Sequence, residues 1–276
     1  MAAGQGTLFV VATPLGNLED VTHRALRVLK EVDLIAAEDT RHSAKLLRHF
    51  GIETPMTSYY DEVEARKAPV LVQKLLEGKS IALISDAGTP GICDPGFRLV
   101  RAAADAGVQI VPIPGPSAVA TALSVCALPT DRFVFEGFLP SKSGQRRRRL
   151  EEVAAEKRTV VFYEAPHRVR ATLTVLREVL GNRPACVVRE ATKLHETVVR
   201  GTLDELCAAS HTMERGEVTI VVGGAPDLEP PTDADLDAEI AGLRQQGLHT
   251  KEIATQLAEK HGVPRQDVYR RALKGS

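Results

Sequence analysis

The apolar run Ile81-Ala82-Leu83-Ile84 leads without a break into Ser85-Asp86-Ala87-Gly88-Thr89-Pro90-Gly91-Ile92-Cys93-Asp94-Pro95-Gly96, and this junction constrains the fold more than any other stretch. Four successive apolar residues closed by Gly, Pro and Asp predict a buried strand that ends in a long, shaped turn. Glycines let backbone approach a ligand closely, and prolines fix φ, so such a loop is rigid before anything binds. In open α/β sheets that edge is where ligands sit. An ordinary strand-to-helix turn with Pro95 near the next helix start is the plainer reading, and the length of the loop argues against it.

The same punctuation recurs upstream. Thr7 to Ala12 reads as a strand, Thr13-Pro14-Leu15-Gly16-Asn17-Leu18 as a loop, and Val21, Ala25, Val28 and Leu29 as the apolar stripe of a helix. Neither a Gly-x-Gly-x-x-Gly nor a Walker sequence can be written through the loop, which disfavours a Rossmann dinucleotide site. Asp33 to Glu38 is a second strand, delivering Glu38, Asp39, Thr40 and Arg41 together at its end. Thr40 is a candidate cap for a helix from Arg41 to Phe50, and the charged residues serve either a structural network or a substrate. A helix from Ala65 to Glu77 precedes Gly78-Lys79-Ser80. That triplet is no P-loop, because Gln73 stands where the leading glycine is needed and the glycine closes a helix before a strand.

Beyond the central loop, a helix is expected over Phe97 to Ala106 and a strand over Val108 to Ile113. Pro114-Gly115-Pro116-Ser117-Ala118 then opens another helix ending near Leu128. Ser117 is placed as its N-cap, where free N–H groups can hold a carboxylate or hydroxyl. Ala106 to Thr130 carries no charge, but Pro112, Pro114, Pro116 and Pro129 leave no segment long enough to span a bilayer. No membrane association is expected.

From Asp131 a second α/β unit begins. Strands are expected over Arg132 to Phe138, Thr159 to Tyr163, Ala185 to Arg189 and Glu217 to Val222, helices over Gly144 to Ala155 and Pro166 to Leu180, and an extended segment over His195 to Gly201. Strands without intervening helices near the end predict a mixed sheet. Lys142, Arg146, Arg147, Arg148 and Arg149, with Arg168 nearby, form a dense basic cluster. Four successive arginines cannot share one helix face, and cations near a helix N-terminus oppose its dipole, so an anionic partner such as an RNA backbone is the better reading than a solvated face. The formal net charge is only −1, so any nucleic-acid contact must come from this local patch.

Residues 226–232 read as a linker, and Ala234 to Gln246, Thr250 to His261 and Pro264 to Leu273 as three short helices in a helix-turn-helix-like module. Asp233, Asp235 and Asp237 weaken a nucleic-acid role for it; Arg265, Arg270, Arg271 and Lys274 favour one. The expected domains are 1–116, 117–225 and 233–276. Four scattered cysteines suit neither a disulfide framework nor a zinc site, and no metal is expected. The opening residues lack the basic start of a signal peptide, and a cytoplasmic location is expected.

Seven segments stand in the order of one known group: Thr13 to Leu18, Ala37 to Arg41, Ser85 to Gly96, Pro114 to Ala118, Glu136 to Pro140, Phe162 to Arg168 and Arg189 to Lys193. The chain therefore resembles the ribosomal RNA small subunit methyltransferase I family, within the tetrapyrrole-methylase-like superfamily. The resemblance covers about residues 7–222. It implies two α/β domains with a cofactor cleft between them, S-adenosylmethionine as cofactor, and 2′-O-methylation of a cytidine ribose in the decoding region of small-subunit ribosomal RNA by a homodimer. Carried over by motif, the cofactor is expected at Pro14, Asp86, Ala87, Gly88, Thr89, Ile92, Ser117, Ala118, Tyr163, Glu164 and Ala191. The ribose hydroxyl needs a base. Glu38 or Asp39 is nominated first, with Arg41 orienting the RNA, and Glu190 or Lys193 as rivals. Lys142, Arg146, Arg147, Arg148, Arg149 and Arg168 are the expected phosphate contacts. The chain departs from the group at Tyr59-Tyr60-Asp61-Glu62-Val63, where many members carry His and Asn. A methyltransferase of tetrapyrrole intermediates is the nearest alternative, but it leaves the arginine run unexplained, and Asn17 and Thr89 stand where those enzymes usually show Gly-Asp-type loops. A non-catalytic nucleic-acid binder led by the tail is the other.

Overall fold

The computed structural model describes residues 4–213, 215–226 and 232–274. Contacts divide the chain into two units, Met1–Ala225 and Pro226–Ser276.

In the first unit, β1 (Thr7–Val11), α1 (His23–Glu31), β2 (Leu34–Ala37), α2 (Thr40–His49), β3 (Met56–Ser58), α3 (Asp61–Leu76), β4 (Ile81–Ile84), α4 (Phe97–Asp105) and β5 (Gln109–Ile113) alternate strictly. The strands form a parallel sheet in the order β3-β2-β4-β1-β5. Parallel neighbours need crossover helices, which bury both sheet faces. Strand β4 shows the consequence residue by residue. Ile81 and Leu83 pack under α3 and α4 with Leu71, Leu75 and Leu99, while Ala82 and Ile84 face α1 and α2 with Val28, Leu29 and Leu47. The unbroken apolar run is thus one strand with two buried faces.

Helix α5 (Ala118–Val125) follows β5 but packs on the second sheet, where Val119, Ala122 and Leu123 meet Val161, Cys186, Val188 and Val221. That sheet is built from β6 (Phe133–Phe138), β7 (Thr159–Glu164), β8 (Pro184–Arg189), β9 (Thr197–Thr202) and β10 (Val218–Val222). Its order is β6-β7-β10-β8-β9, with β6 parallel to β7 and the other pairs antiparallel. Its other face is covered by α6 (Ser143–Glu152), α7 (Val169–Leu180) and α8 (Leu203–Ala209), whose Leu150, Leu173, Leu176 and Leu206 cluster with Phe162, Val187 and Ile220 of the strands.

Several local expectations are corrected. Strand β3 was not anticipated, because three half-buried residues at a sheet edge leave no periodic signal. Helix α3 begins at Asp61, four residues before the expected start, and runs through Pro69. Asp39, not Thr40, caps α2, its carboxylate accepting from the Arg41 N–H at 2.8 Å. A short 3-10 turn, Pro166–Arg168, precedes α7.

The second unit holds α9 (Asp233–Gln245), α10 (Thr250–His261) and α11 (Arg265–Lys274) around Ile240, Ile253, Leu257, Val268 and Ala272. His249 takes the cap position of α10, and Gly262 ends it in the left-handed region. Arg271 pairs with Asp233 and Asp237, so the acidic start of α9 and the basic α11 neutralise each other. Residues 227–231 of the expected linker lie outside the described residues, as does the side chain of Lys274. Among the described residues no helix is long and apolar enough to cross a membrane.

Candidate active site

Four loops at the carboxyl edge of the first sheet are sewn together by hydrogen bonds. The loops after β1 and β4 form an isolated antiparallel bridge, Thr13 N–H to the Gly88 carbonyl at 2.8 Å and Gly88 N–H to the Thr13 carbonyl at 3.0 Å. The Thr13 hydroxyl donates to the Ser85 carbonyl at 3.1 Å, and the Thr89 hydroxyl to the Pro116 carbonyl at 3.1 Å, which joins the loop entering α5. The end of β2 is tied in reciprocally: Asp86 N–H donates to Glu38 Oε2 at 3.2 Å, and Asp39 N–H to Asp86 Oδ1 at 3.1 Å. Buried backbone groups must find partners, and here each loop supplies them for another.

Between these loops and the ends of β6, β7 and β10 lies a cavity of about 380 Å³. Asp86, Ala87, Gly88, Thr89 and Ile92 of the loop after β4 line it, together with Ser117, Ala118, Tyr163, Glu164 and Ala191. Of the expected cofactor contacts only Pro14 is missing from the wall, and its neighbour Leu15 stands there instead. The walls also include Asp94, Phe138, Val188 and Glu217, which sequence reasoning did not nominate. Ser117 takes the cap position of α5, yet its side chain makes no capping hydrogen bond, so the first-turn N–H groups keep their capacity for an anionic group.

The far end of the cavity is acidic. Glu38, Asp86 and Asp94 line it together. Burial, with the charges of Asp86, Asp61 and Asp39 adding, raises the Glu38 carboxyl above its ordinary value despite the Asp86 N–H it accepts. Burial and the charge of Glu38 push Asp94 up to about 7, with Asp86 and Asp61 contributing and the Ser85 hydroxyl opposing. A carboxylate with that affinity can hold or release a proton at neutral pH. Burial pushes the Tyr163 phenol up to about 12, so it stays neutral there.

The nominated bases are placed unequally. Glu38 reaches the cavity; Asp39, Arg41, Glu190 and Lys193 do not line it. Asp39 caps α2 and chelates Arg41 through both carboxylate oxygens, which draws it down to about 2, too weak a base for a hydroxyl. Burial alone would raise Glu190, but Lys193 and the Glu217 N–H hold it below its ordinary value. Burial alone would lower Lys193, but Glu190 and Glu217 hold it up, so it is an ammonium rather than a neutral amine. These two fix the strained turn around Ala191, where Glu190 and Thr192 both adopt positive φ, 53° and 66°.

The basic run divides. Arg147, Arg148 and Arg149 are on the surface of α6, partnered by Glu151 and Glu178, by Glu152, and by Glu136 and Glu152 respectively. Lys142 is exposed at the helix start. Arg146 is buried and donates to the Thr172 hydroxyl at 3.1 Å. Arg168 is turned inward too, pairing with Glu164 at 3.1 Å and donating to the Leu139 and Pro140 carbonyls. Helical rotation predicts that one of four successive arginines faces the core, but only the structure shows which. Among the described residues no group of three or more His, Cys, Asp or Glu is arranged to hold a metal ion.

Comparison with known proteins gives a consistent result. Residues 7–207 match the model of the tetrapyrrole (corrin/porphyrin) methylases. A protein of Synechocystis named ribosomal RNA small subunit methyltransferase I is 47% identical over 273 residues, covering 98% of both chains. The protein of the same name from Pseudomonas aeruginosa is 47% identical, covering 98% of this chain and 97% of its own. Among solved structures, uroporphyrin-III C-methyltransferase from Thermus thermophilus, complexed with S-adenosyl homocysteine, matches with a TM-score of 0.55. It is 18% identical and covers 78% of this chain and 97% of that one, a likeness of fold.

Proposed function

The chain belongs to the ribosomal RNA small subunit methyltransferase I family of the tetrapyrrole (corrin/porphyrin) methylases, and from that premise we propose that it transfers the methyl group of S-adenosylmethionine to the 2′-hydroxyl of a cytidine ribose in the decoding region of small-subunit ribosomal RNA. The observation that carries this reading is the cavity itself, whose wall gathers Asp86 to Thr89, Ile92, Ser117, Ala118, Tyr163, Glu164 and Ala191 from loops distant in sequence.

The residues suit the cofactor. Uncapped N–H groups at the start of α5 complement a carboxylate, Leu15, Ile92, Phe138 and Val188 offer apolar surface to an adenosine, and the acidic end favours a cation. When bound, the cofactor supplies a methyl group already activated on a sulfonium. The protein's work is then to align the ribose oxygen, exclude water and accept its proton. A neutral hydroxyl is a poor nucleophile, and Asp94, with a carboxyl pushed up to about 7 in the cavity wall, is the group placed to take that proton. Glu38 holds the Asp86 backbone beside it and keeps the local field negative.

Lys142, Arg147, Arg148 and Arg149 are the proposed phosphate contacts, the three arginines exchanging their glutamate partners for RNA. Residues 1–116 and 117–225 act as the two domains of one methyltransferase, 233–276 as an appended module, and the working form is a cytoplasmic homodimer. The test is methyl transfer from labelled cofactor to small subunits that lack the modification, followed by nucleoside identification. Label in 2′-O-methylcytidine is expected. Label in a tetrapyrrole supplied in parallel, or in no acceptor at all, would overturn the reading.

A further inference from the structure

Of the four successive arginines on α6, Arg146 is the one that is buried. It is 7% exposed, and its Nη1 donates to Thr172 Oγ1 at 3.1 Å. The Thr172 hydroxyl has a single proton, and that proton goes to Glu164 Oε2 at 2.5 Å. Arg146 therefore fixes the direction of the hydroxyl by filling its acceptor side. The Glu164 side chain is fully buried, a state a carboxylate tolerates only with paired and hydrogen-bonded partners. Its other oxygen accepts from the Ala165 N–H at 2.8 Å and faces Arg168 at 3.1 Å. Glu164, Ala165 and Pro166 are the corner by which β7 enters the cavity wall.

We propose that Arg146 is a positioning residue for the cofactor: acting through Thr172, it holds the Glu164 carboxylate and so sets the Glu164-Ala165-Pro166 corner against which S-adenosylmethionine binds, and it takes no part in RNA binding. The inference rests on the methyltransferase reading above and assigns Arg146 to the opposite substrate from its neighbours on α6. Arg148, 84% exposed in its side chain and held by a single long contact to Glu152, is the natural comparison.

The test compares Arg146→Met, Arg146→Lys, Thr172→Val and Arg148→Met in the full chain. Cofactor affinity is measured by calorimetry, RNA affinity as a function of salt, and kcat and KM for each substrate. Arg146→Met is expected to weaken cofactor binding roughly tenfold, the scale of one hydrogen bond to a charged group. It should raise the cofactor KM more than it lowers kcat, and leave RNA affinity and its salt dependence unchanged. Arg146→Lys should recover part of the loss. Thr172→Val should reproduce it, and adding Arg146→Met to Thr172→Val should add little, because both act on one relay. Arg148→Met should do the reverse, flattening the salt dependence with cofactor binding intact. Should Arg146→Met prove too unstable to purify, Thr172→Val carries the same expectation. Unchanged cofactor affinity in a folded Arg146→Met or Thr172→Val variant overturns the inference alone, as does a reduced salt dependence in Arg146→Met. A wild-type protein that binds no S-adenosylmethionine overturns this inference and the methyltransferase reading together.

Discussion

Asp94 differs from the nominated carboxylates outside the cavity wall, Asp39 and Glu190, in being governed by burial and neighbouring carboxylates and not by a cation. Asp39 has Arg41 and Glu190 has Lys193, and both are held below their ordinary values, whereas burial and the charge of Glu38 leave Asp94 near 7. Replacing Asp94 by Asn is expected to lower kcat about 10²- to 10⁴-fold, the range of general base catalysis. Cofactor affinity should fall far less, because the change keeps the shape of the loop and Glu38 and Asp86 still line the acidic end. Calorimetry and single-turnover rates separate the two. In the wild type the rate should climb as pH rises through about 7, where the carboxylate forms. Stability should move the other way. The folded protein holds this proton to a higher pH than the unfolded chain does, so between an ordinary carboxylate value and about 7 the folded state binds more protons, and stability falls as pH rises across that window. The Asn variant should lose that decline, which thermal melts across the same range would detect. None of this was legible at the residue scale. The sequence marks Asp94 as part of a shaped loop, but its burial and the nearby charge of Glu38 arise from elements distant in the chain.

The loop between β4 and α4 is an element only because both of its ends are held. At one end Gly88 bridges to Thr13 with φ of 79°, and an added Cβ would stand 3.2 Å from Leu15 Cδ2. Gly88→Ala is therefore expected to strain the bridge and displace Leu15 from the wall, weakening cofactor binding; a structure of the variant would show the shift. At the other end the buried Glu64 accepts from the Gly96 N–H at 2.9 Å, the Arg98 N–H at 3.2 Å and the Tyr59 hydroxyl at 3.2 Å. It substitutes for a cap on α4, whose own cap residue, Gly96, has no side chain. Glu64→Ala leaves those donors without a partner and should destabilise the fold by about 1–3 kcal/mol, measurable by denaturant unfolding. The strands and helices around this loop were legible because burial on alternating or helical periods is written in local sequence, as in Ile81 to Ile84. The Glu64 clamp was not, since two of its three donors, the Gly96 and Arg98 N–H groups, lie more than thirty positions away. The cap on α2 was misplaced by one residue for a different reason: Asp39 and Thr40 are both good caps, and only the turn of the chain decides between them.

At the scale of the molecule, α5 explains why the cavity lies between the two sheets. It leaves the parallel sheet in sequence yet buries Val119, Ala122 and Leu123 on the mixed one, so its uncapped start stays beside the first sheet's loops. Every wall of the cavity comes from residues 15–219, and the hydrophobic clusters around it contain no residue beyond Val222. The helical module in turn has its own apolar centre at Ile240, Ile253, Leu257 and Val268, and its acidic and basic helices are paired with each other through Arg271, Asp233 and Asp237. A fragment of residues 1–225 is therefore expected to fold and to bind S-adenosylmethionine within about twofold of the full chain, a difference under half a kcal/mol. If its affinity for RNA and the salt dependence of that affinity are also retained, the phosphate contacts reside on α6, as proposed; if the salt dependence flattens, basic residues of the module share them. A fragment that is folded by circular dichroism yet fails to bind the cofactor would place part of the site beyond residue 225 and contradict the cavity as the binding site.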